Sequence, residues 1–423
     1  MKSNRRKFIK RSAIGAFAGM TGLTADARGR KERDPDQQEE ALDRILAEPV
    51  LRLDELKDPV WMETIELLRN GDNFICRVRS KEGAEGLSVS NNMQMKHLYP
   101  IFVNRIQPFF IGKDARNWES LLDEVYVYQS NYKLQNLAFW VPLATLEFAI
   151  LDLLGKLTGK SMGALLGDTI YHPEIAVYQA NNYRGKSAEE SIDLIEKHVR
   201  ETEARALKFK VGGRMSHNRD YPPGRTEALI PLVRERFGPE MVIYADSNGS
   251  YTPEEAIRIG KIMEAYAYDF YEEPVPFDWY EETLEVTKAV RIPVAGGEQE
   301  PSMHGFRWLI KEDALDIVQP DIFYFGGMVR SMKVAKMAAF KGKPCTPHIS
   351  GSGLGYLYMM HFVSAVANAG PYHEFKGFNQ EIPLYSPTSS LSSEGGKVTV
   401  PTGPGLGVTL DPDFVANHQV VAG

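Results

Sequence analysis

The chain has 423 residues, of which 43% are hydrophobic, 25% charged and 10% aromatic. That mixture supports a sizeable core and excludes a chain disordered throughout. Its 49 basic and 56 acidic residues leave a net charge of −7, and no sustained basic run lies outside the N-terminus, which excludes nucleic acid as the main partner. Cys76 and Cys345 are the sole cysteines, too few for a disulfide framework or a zinc–cysteine site. No run of about 18 consecutive apolar residues offers a membrane span.

The chain opens on a basic head, Asn4-Arg5-Arg6-Lys7-Phe8-Ile9-Lys10, followed by a Gly- and Ala-rich apolar stretch from Ser12 to Ala25 and then Ala25-Asp26-Ala27. This pattern over residues 1–27 resembles a twin-arginine export signal with an A-x-A-type cleavage site. An accidental basic terminus is the other reading. Export by the twin-arginine machinery predicts folding before transport, metal loading in the cytoplasm and a periplasmic location. Residues 28–45, opening Arg28-Gly29-Arg30-Lys31, are charged and predict a mobile lead-in.

From Pro49 to Asn91 the pattern is strand-like, with turn signals at Arg69-Asn70-Gly71-Asp72 and Lys81-Glu82-Gly83, and predicts an antiparallel meander. From Met95 to Gly167 the period is helical. The apolar stretch holding Leu143, Leu146, Phe148, Leu151 and Leu154 carries Glu147 and Asp152, and Gly155-Lys156 predicts its end. Residues 46–167 thus form an α+β domain.

Beyond Gly167, short β-like runs recur: Ile175–Ala180, Ala206–Val211, Met241–Ala245, Tyr268–Glu272, Ile292–Gly296, Leu315–Gln319, Lys343–Pro347 and Tyr372–Phe375. Most gaps hold a helical pattern, such as Ser187–Arg205, Gly224–Phe237, Pro253–Ala267 and Met328–Lys341. Alternating strands and helices imply a parallel sheet, and eight such units over 168–376 favour a closed (β/α) barrel above an open doubly wound sheet. Neither a GxGxxG turn after the first strand nor a GxxxxGK[ST] loop is present. The Gly-, Pro- and Ser-rich tail, 377–423, is expected to pack back on the first domain.

The C-terminal ends of barrel strands form the active face. Seven of the eight runs end in, or carry, ionisable residues there: Lys208 and Lys210, Asp246, Glu272, Glu298, Asp321, His348, and His373-Glu374. A single strand-end Asp is ordinarily a helix cap, but the whole series shares one face. Asp246, Glu272 and Glu298 come from successive strands about 4.8 Å apart, so they repel unless neutralised. A hard cation satisfies them, and an all-oxygen set favours Mg²⁺; pairing with Lys208 and Lys210 is the alternative. The two lysines point to one face of a strand. Their mutual repulsion predicts that one has a lowered pKa and serves as a base, unless both are solvated. Asp321 beside His348 would fix the imidazole tautomer, unless His348 is a satisfied core residue.

These motifs together resemble the mandelate racemase subgroup of the enolase superfamily. The carriers are Lys208-Phe209-Lys210; Asp246-x-Asn248, Glu272-Glu273-Pro274 and Gly297-Glu298; Asp321 with His348; and the helix Glu147–Leu166, over roughly residues 60–380. The resemblance implies an α/β fold, a modified (β/α)₇β TIM-type barrel with an N-terminal α+β capping domain, one Mg²⁺, and removal of the proton α to a carboxylate. It implies Lys210 as one base, with Lys208 modulating it and contacting the substrate carboxylate. His348, oriented by Asp321, stands on the opposite face. Glu374 bonds a carboxylate oxygen of the enediolate, Asn248 holds the α-hydroxyl, and His373 is a structural neighbour. The family also implies a homo-oligomer.

Two opposed bases serve either β-elimination or racemisation. The polar cap loop Ser88–His97, with Asn91, Asn92, Gln94, Lys96 and His97, and the pair Asn181-Asn182 suit a polyhydroxylated ligand; Tyr132 and Trp140 are either an apolar wall or cap core. Dehydration of a small sugar acid, aldonate or aldarate, to a 2-keto-3-deoxy acid is the leading expectation. Racemisation or epimerisation of a 2-hydroxy acid follows, then cycloisomerisation. A non-catalytic exported binder is the reading of another class, against which the intact base pairs count.

Overall fold

A computed structural model of the chain describes residues 35–129, 134–350, 354–375 and 382–422. The export segment expected over 1–27 and residues 28–34 of the lead-in lie outside the described residues, as does Tyr132. The remainder of the lead-in is not a loose tether. Pro35–Ala47 is a helix (α1); Leu42 is buried, and Glu39 and Asp43 pair with Lys311 and Arg307. Its charge pattern is one half of an ion-pair seam, which the sequence by itself presents as solvated.

The meander starts at Met62, not at Pro49. Residues 49–60 are irregular, and the amides of Val50 and Leu51 donate to Glu119 Oε1 at 2.8 and 2.9 Å instead of entering a ladder. Strands β1 (Met62–Asn70), β2 (Asn73–Ser80) and β3 (Glu85–Val89) then pair antiparallel. Gly71 and Gly83 supply the left-handed turn residues between them, with φ of +60° and +88°. Helices α2 (Asn92–Ile101), α3 (Trp118–Val127) and α4 (Leu137–Thr158) complete the cap.

By length and composition α4 could cross a membrane, yet 89% of its most apolar window is buried in the protein. It is core shared by cap and barrel. It runs straight through Gly155 and stops at Gly159, whose φ is +71°. Gly155 is a point of close approach, not a terminus: a Cβ there would lie 2.6 Å from the backbone of Gly405.

The barrel strands are β4 (Glu174–Ala180), β5 (Ala206–Lys210), β6 (Val242–Asp246), β7 (Phe270–Glu272), β8 (Val294–Gly296), β9 (Ile317–Val318) and β10 (His373–Phe375). They form a curled parallel sheet in the order β10-β4-β5-β6-β7-β8-β9. The intervening helices are α5 (Ala188–Thr202), α6 (Arg225–Phe237), α7 (Pro253–Ala265), α8 (Tyr280–Ala289), α9 (Met303–Lys311), α10 (Met328–Phe340) and α11 (Leu354–Ala365). Ser187 and Glu190 start α5 with a reciprocal capping box. The seventh expected strand, Lys343–Pro347, makes only isolated bridges, from Cys345 to Val318 and Ala369. Pro344 and Pro347 have no amide hydrogen to give to a ladder.

Past the barrel, β11 (Leu384–Tyr385) pairs with β13 (Thr409–Leu410), β12 (Lys397–Thr399) lies antiparallel on β4, and β14 (Gln419–Val420) pairs with β1 of the cap. Inside the barrel, Tyr178, Ala180, Ala206, Tyr244, Phe270 and Ala295 form an apolar plug, with the Tyr244 and Phe270 rings stacked 3.7 Å apart. The plug lies below the charged side chains Lys208, Lys210, Asp246 and Glu272, which stand at the C-terminal mouth.

Candidate active site

Strand register sets the row of charges. Lys210 lies beside Asp246, and Asp246 beside Glu272, as direct parallel neighbours. Glu298 follows two residues after β8 ends at Gly296. All three acids are buried, and each offers an oxygen within 4.8 Å of the others. Burial pushes the Glu272 carboxyl up against the pull of Lys208, and Asp246 and Glu298 push it further. A divalent cation relieves that crowding, and three carboxylates with no nitrogen or sulfur donor fit Mg²⁺.

The lysine pairing that the sequence left open is present as well. Lys208 Nζ is 2.6 Å from Glu272 Oε1, and Lys210 Nζ bonds Asp246 Oδ2. Lys208 is fully buried, over the Tyr178 ring at 5.2 Å. Burial opposes its charge, but Glu272, Tyr178, Glu374 and Asp246 outweigh that and hold its pKa well above the ordinary value. Lys208 is therefore the charged member of the pair, held so chiefly by Glu272. Asp246 keeps a low pKa: burial raises it, and Lys210, Lys208 and Arg184 more than compensate.

Asp321 and His348 stand side by side on the far flank. His348 Nδ1 is 2.7 Å from Asp321 Oδ2, with Nε2 3.3 Å from Glu298 Oε2 and 3.7 Å from Glu374 Oε2. Burial alone would lower the His348 pKa; Glu298, the Asp321 hydrogen bond and Glu374 raise it to about 9. Asp321 itself is clamped by the amides of Phe323, Tyr324 and Ser350 at 2.8, 2.9 and 2.7 Å. Glu374, on β10, is direct neighbour to Tyr178 on β4. His373 hydrogen-bonds Gly370 O at 3.0 Å, and burial lowers its pKa to about 3; it is a structural residue.

Asn248 is at the mouth but braces a ligand. Its backbone amide donates to Asp246 Oδ1 at 2.8 Å and its Nδ2 to Asp246 Oδ2 at 3.3 Å, while Oδ1 accepts from Arg184 at 2.9 Å. Both ends of the amide are engaged before any α-hydroxyl arrives. The cap amides are also committed: Asn92 to Phe74 and Asn73, Asn91 to Ser350 at 2.8 Å. Trp140 is core, stacked on Tyr126 at 5.3 Å with the Arg330 guanidinium 3.7 Å over its ring. Asn181 differs from these. Its Nδ2 is fixed by Lys208 O at 3.1 Å, and its buried Oδ1 has no hydrogen-bond partner.

Sequence reasoning missed four residues here. Gln319 donates to Glu272 Oε2 at 2.8 Å. Arg184 ties the ends of β5 and β6 together through the Val211, Gly212 and Asp246 carbonyls. Ser350 and Tyr324 flank the histidine pair. Gln319 had a signal, since it closes a strand run on the active face; the others occupy loops, where polar residues look solvated.

A family model described as "Enolase C-terminal domain-like" matches residues 190–414. D-galactarolactone cycloisomerase of Agrobacterium fabrum is 27% identical over 325 residues, covering 74% of this chain and 82% of that protein. Arabinonate dehydratase of Saccharolobus solfataricus is 27% identical over 306 residues, covering 72% and 79%. The crystal structure of a mandelate racemase/muconate lactonizing protein from Paracoccus denitrificans, complexed with magnesium, aligns with a TM-score of 0.76 and 25% identity, over 86% of this chain and 99% of that one.

Proposed function

The chain belongs to the enolase superfamily, and from that premise we propose that it is a Mg²⁺-dependent hydro-lyase that converts a sugar acid, an aldonate or aldarate, to its 2-keto-3-deoxy acid. One observation carries the reading: two proton-transfer groups flank one carboxylate triad, Lys210 against Asp246 and His348 against Glu298. Mg²⁺, when held by Asp246, Glu272 and Glu298, supplies positive charge to the substrate carboxylate as negative charge develops there. Lys210 takes the proton from C2. The electron pair left behind is held first on the carboxylate oxygens as an enediolate; it then returns to form a C2–C3 double bond as the C3–O bond breaks, and His348 Nε2 gives its proton to the departing hydroxyl, which leaves as water. The enol then ketonises. Lys208 faces the substrate carboxylate, and Glu374, in its protonated form, donates a hydrogen bond to one of its oxygens. The unpaired Asn181 acceptor supports a hydroxyl-bearing ligand, because a buried acceptor left unsatisfied is costly. The arabinonate relative supports the same class.

Cycloisomerisation is the second reading, supported by the galactarolactone relative. It uses the same two groups, with a ring oxygen in place of hydroxide as leaving group. Incubating a panel of aldonic acids, aldaric acids and aldarolactones in deuterated water separates the outcomes. A 2-keto-3-deoxy acid, detected with semicarbazide, marks dehydration when it forms from an open-chain acid with loss of water, and cycloisomerisation when it forms from a lactone without change of mass. Deuterium at C2 without loss of water marks racemisation, and neither with any member defeats the enzyme reading. Lys210→Ala should abolish both exchange and water loss. His348→Asn should abolish water loss and spare exchange; full dehydration by that variant would refute the acid assignment.

The Arg5-Arg6 head and Ala25-Asp26-Ala27 support export of the folded protein to the periplasm by the twin-arginine route. Replacing both arginines with lysine should retain it in the cytoplasm on fractionation. The homo-oligomer that the family implies is tested by light scattering.

A further inference from the structure

His348 is not held by the barrel alone. Asp321 Oδ2 accepts from both His348 Nδ1 and the amide of Ser350. The Ser350 hydroxyl in turn accepts from Nδ2 of Asn91, 2.8 Å away and 259 residues distant in sequence. Asn91 belongs to the cap. It is the N-cap of α2, where its Oδ1 accepts from the Gln94 amide at 3.3 Å, so its amide is clamped at one end and aimed by the other. Asn91 and Ser350 are both buried. An unbroken polar chain therefore runs from the start of α2, through Ser350 and Asp321, to the imidazole.

No comparable chain reaches Lys210 from the cap among the described residues. Lys210 ends β5 in ladder with β6, and its carbonyl is held by Arg225 at 2.8 Å, a residue of the barrel. The two sides of the site are thus mounted differently, one on strands and one on a contact between layers.

We propose that Asn91 is a positioning residue for His348: through Ser350 it makes the aim of the site's acid depend on the seating of the cap, whereas the base on Lys210 does not depend on it. This rests on the dehydratase reading above. In a low-dielectric site a displacement of about 1 Å in a proton donor costs on the order of a hundredfold, so a missing anchor shows in the step that breaks C3–O and not in the step that removes the C2 proton. Water loss then requires the cap in place, while exchange at C2 does not.

The test reads the two steps separately in deuterated water, using the panel acid that turns over. Asn91→Ser keeps an N-cap oxygen for α2 but is too short to reach Ser350. Ser350→Ala removes the hydroxyl and keeps the amide on Asp321. Each should slow water loss about tenfold to a hundredfold, with C2 exchange and KM within about twofold of wild type. Ser350→Thr should restore water loss. The double variant should be no slower than either single one, since both cut the same chain. Exchange and water loss falling in parallel, or neither changing, overturns the proposal. His348→Asn is the control on the underlying reading. If it blocks water loss and spares exchange while the Asn91 and Ser350 variants behave as wild type, only the cap coupling fails; if it leaves water loss intact, the acid assignment fails. Should Asn91→Ser not fold, the Ser350 pair decides alone.

Discussion

Glu298 joins the two halves of the site: it shares the triad with Asp246 and Glu272 and lies 3.3 Å from His348. Its charge is opposed by burial and favoured above all by His348, which holds its pKa below the ordinary value. Glu298→Gln keeps the shape and removes the charge, so Mg²⁺ affinity should fall by at least about tenfold; calorimetry finding wild-type affinity would refute the ligand set. The triad was legible because acids recur at the same place in successive β-runs. Of its supports, Gln319 alone carried a signal, at the end of a strand run. Arg184 and Ser350 act across loops or through backbone groups, and one polar residue in a loop carries no sign of where it bonds. The lysines show the same limit: spacing shows that two ammonium groups share a face, not that a carboxylate stands 2.6 Å from one of them.

Elements were legible where side chains set the period and obscure where backbone donors decide. The helical gaps between barrel strands fell close to α5, α6, α7 and α10. The Lys343–Pro347 run looked like its neighbours in composition, and only its prolines told against a full ladder. Gly155 suggested a helix end when its work is to let Gly405 approach. A similar close fit joins cap and barrel at the start of α10. Gly327 has φ +115°, and a Cβ there would lie 2.2 Å from a Glu147 carboxyl oxygen. That carboxyl also accepts from the Trp118 indole at 2.7 Å and the Val329 amide at 3.1 Å. Gly327→Ala should therefore destabilise by about 2 kcal/mol or more through strain and displacement of Glu147, read as a lower urea midpoint. An unchanged midpoint would mean that α10 shifts freely against α4.

Across the whole molecule, buried imidazoles link stability to acid. His361, on α11, bonds Leu406 O at 2.9 Å, and burial lowers its pKa from 6.5 to about 4. The unfolded chain takes up that proton first as pH falls below 6.5, so the stability of keeping His361 neutral is complete above 6.5 and is lost toward 4. His361→Gln removes the titration. The stability of wild type relative to the variant should fall by up to about 1.4 kcal/mol per pH unit across that window and level off below it. Denaturant unfolding at several pH values measures this, and a flat difference would refute it.

The pairing of β14 with β1 has a consequence for biosynthesis. A layer made early contains a strand made much later: residues 419 and 420 close an edge opened at residue 68. Until that strand emerges, the edge has unmet donors and acceptors, the condition under which sheets recruit foreign strands. Synthesis of the rest of the cap is therefore not the moment at which its sheet is sealed, and truncation ahead of residue 419 should raise aggregation far more than the loss of a two-residue strand would suggest.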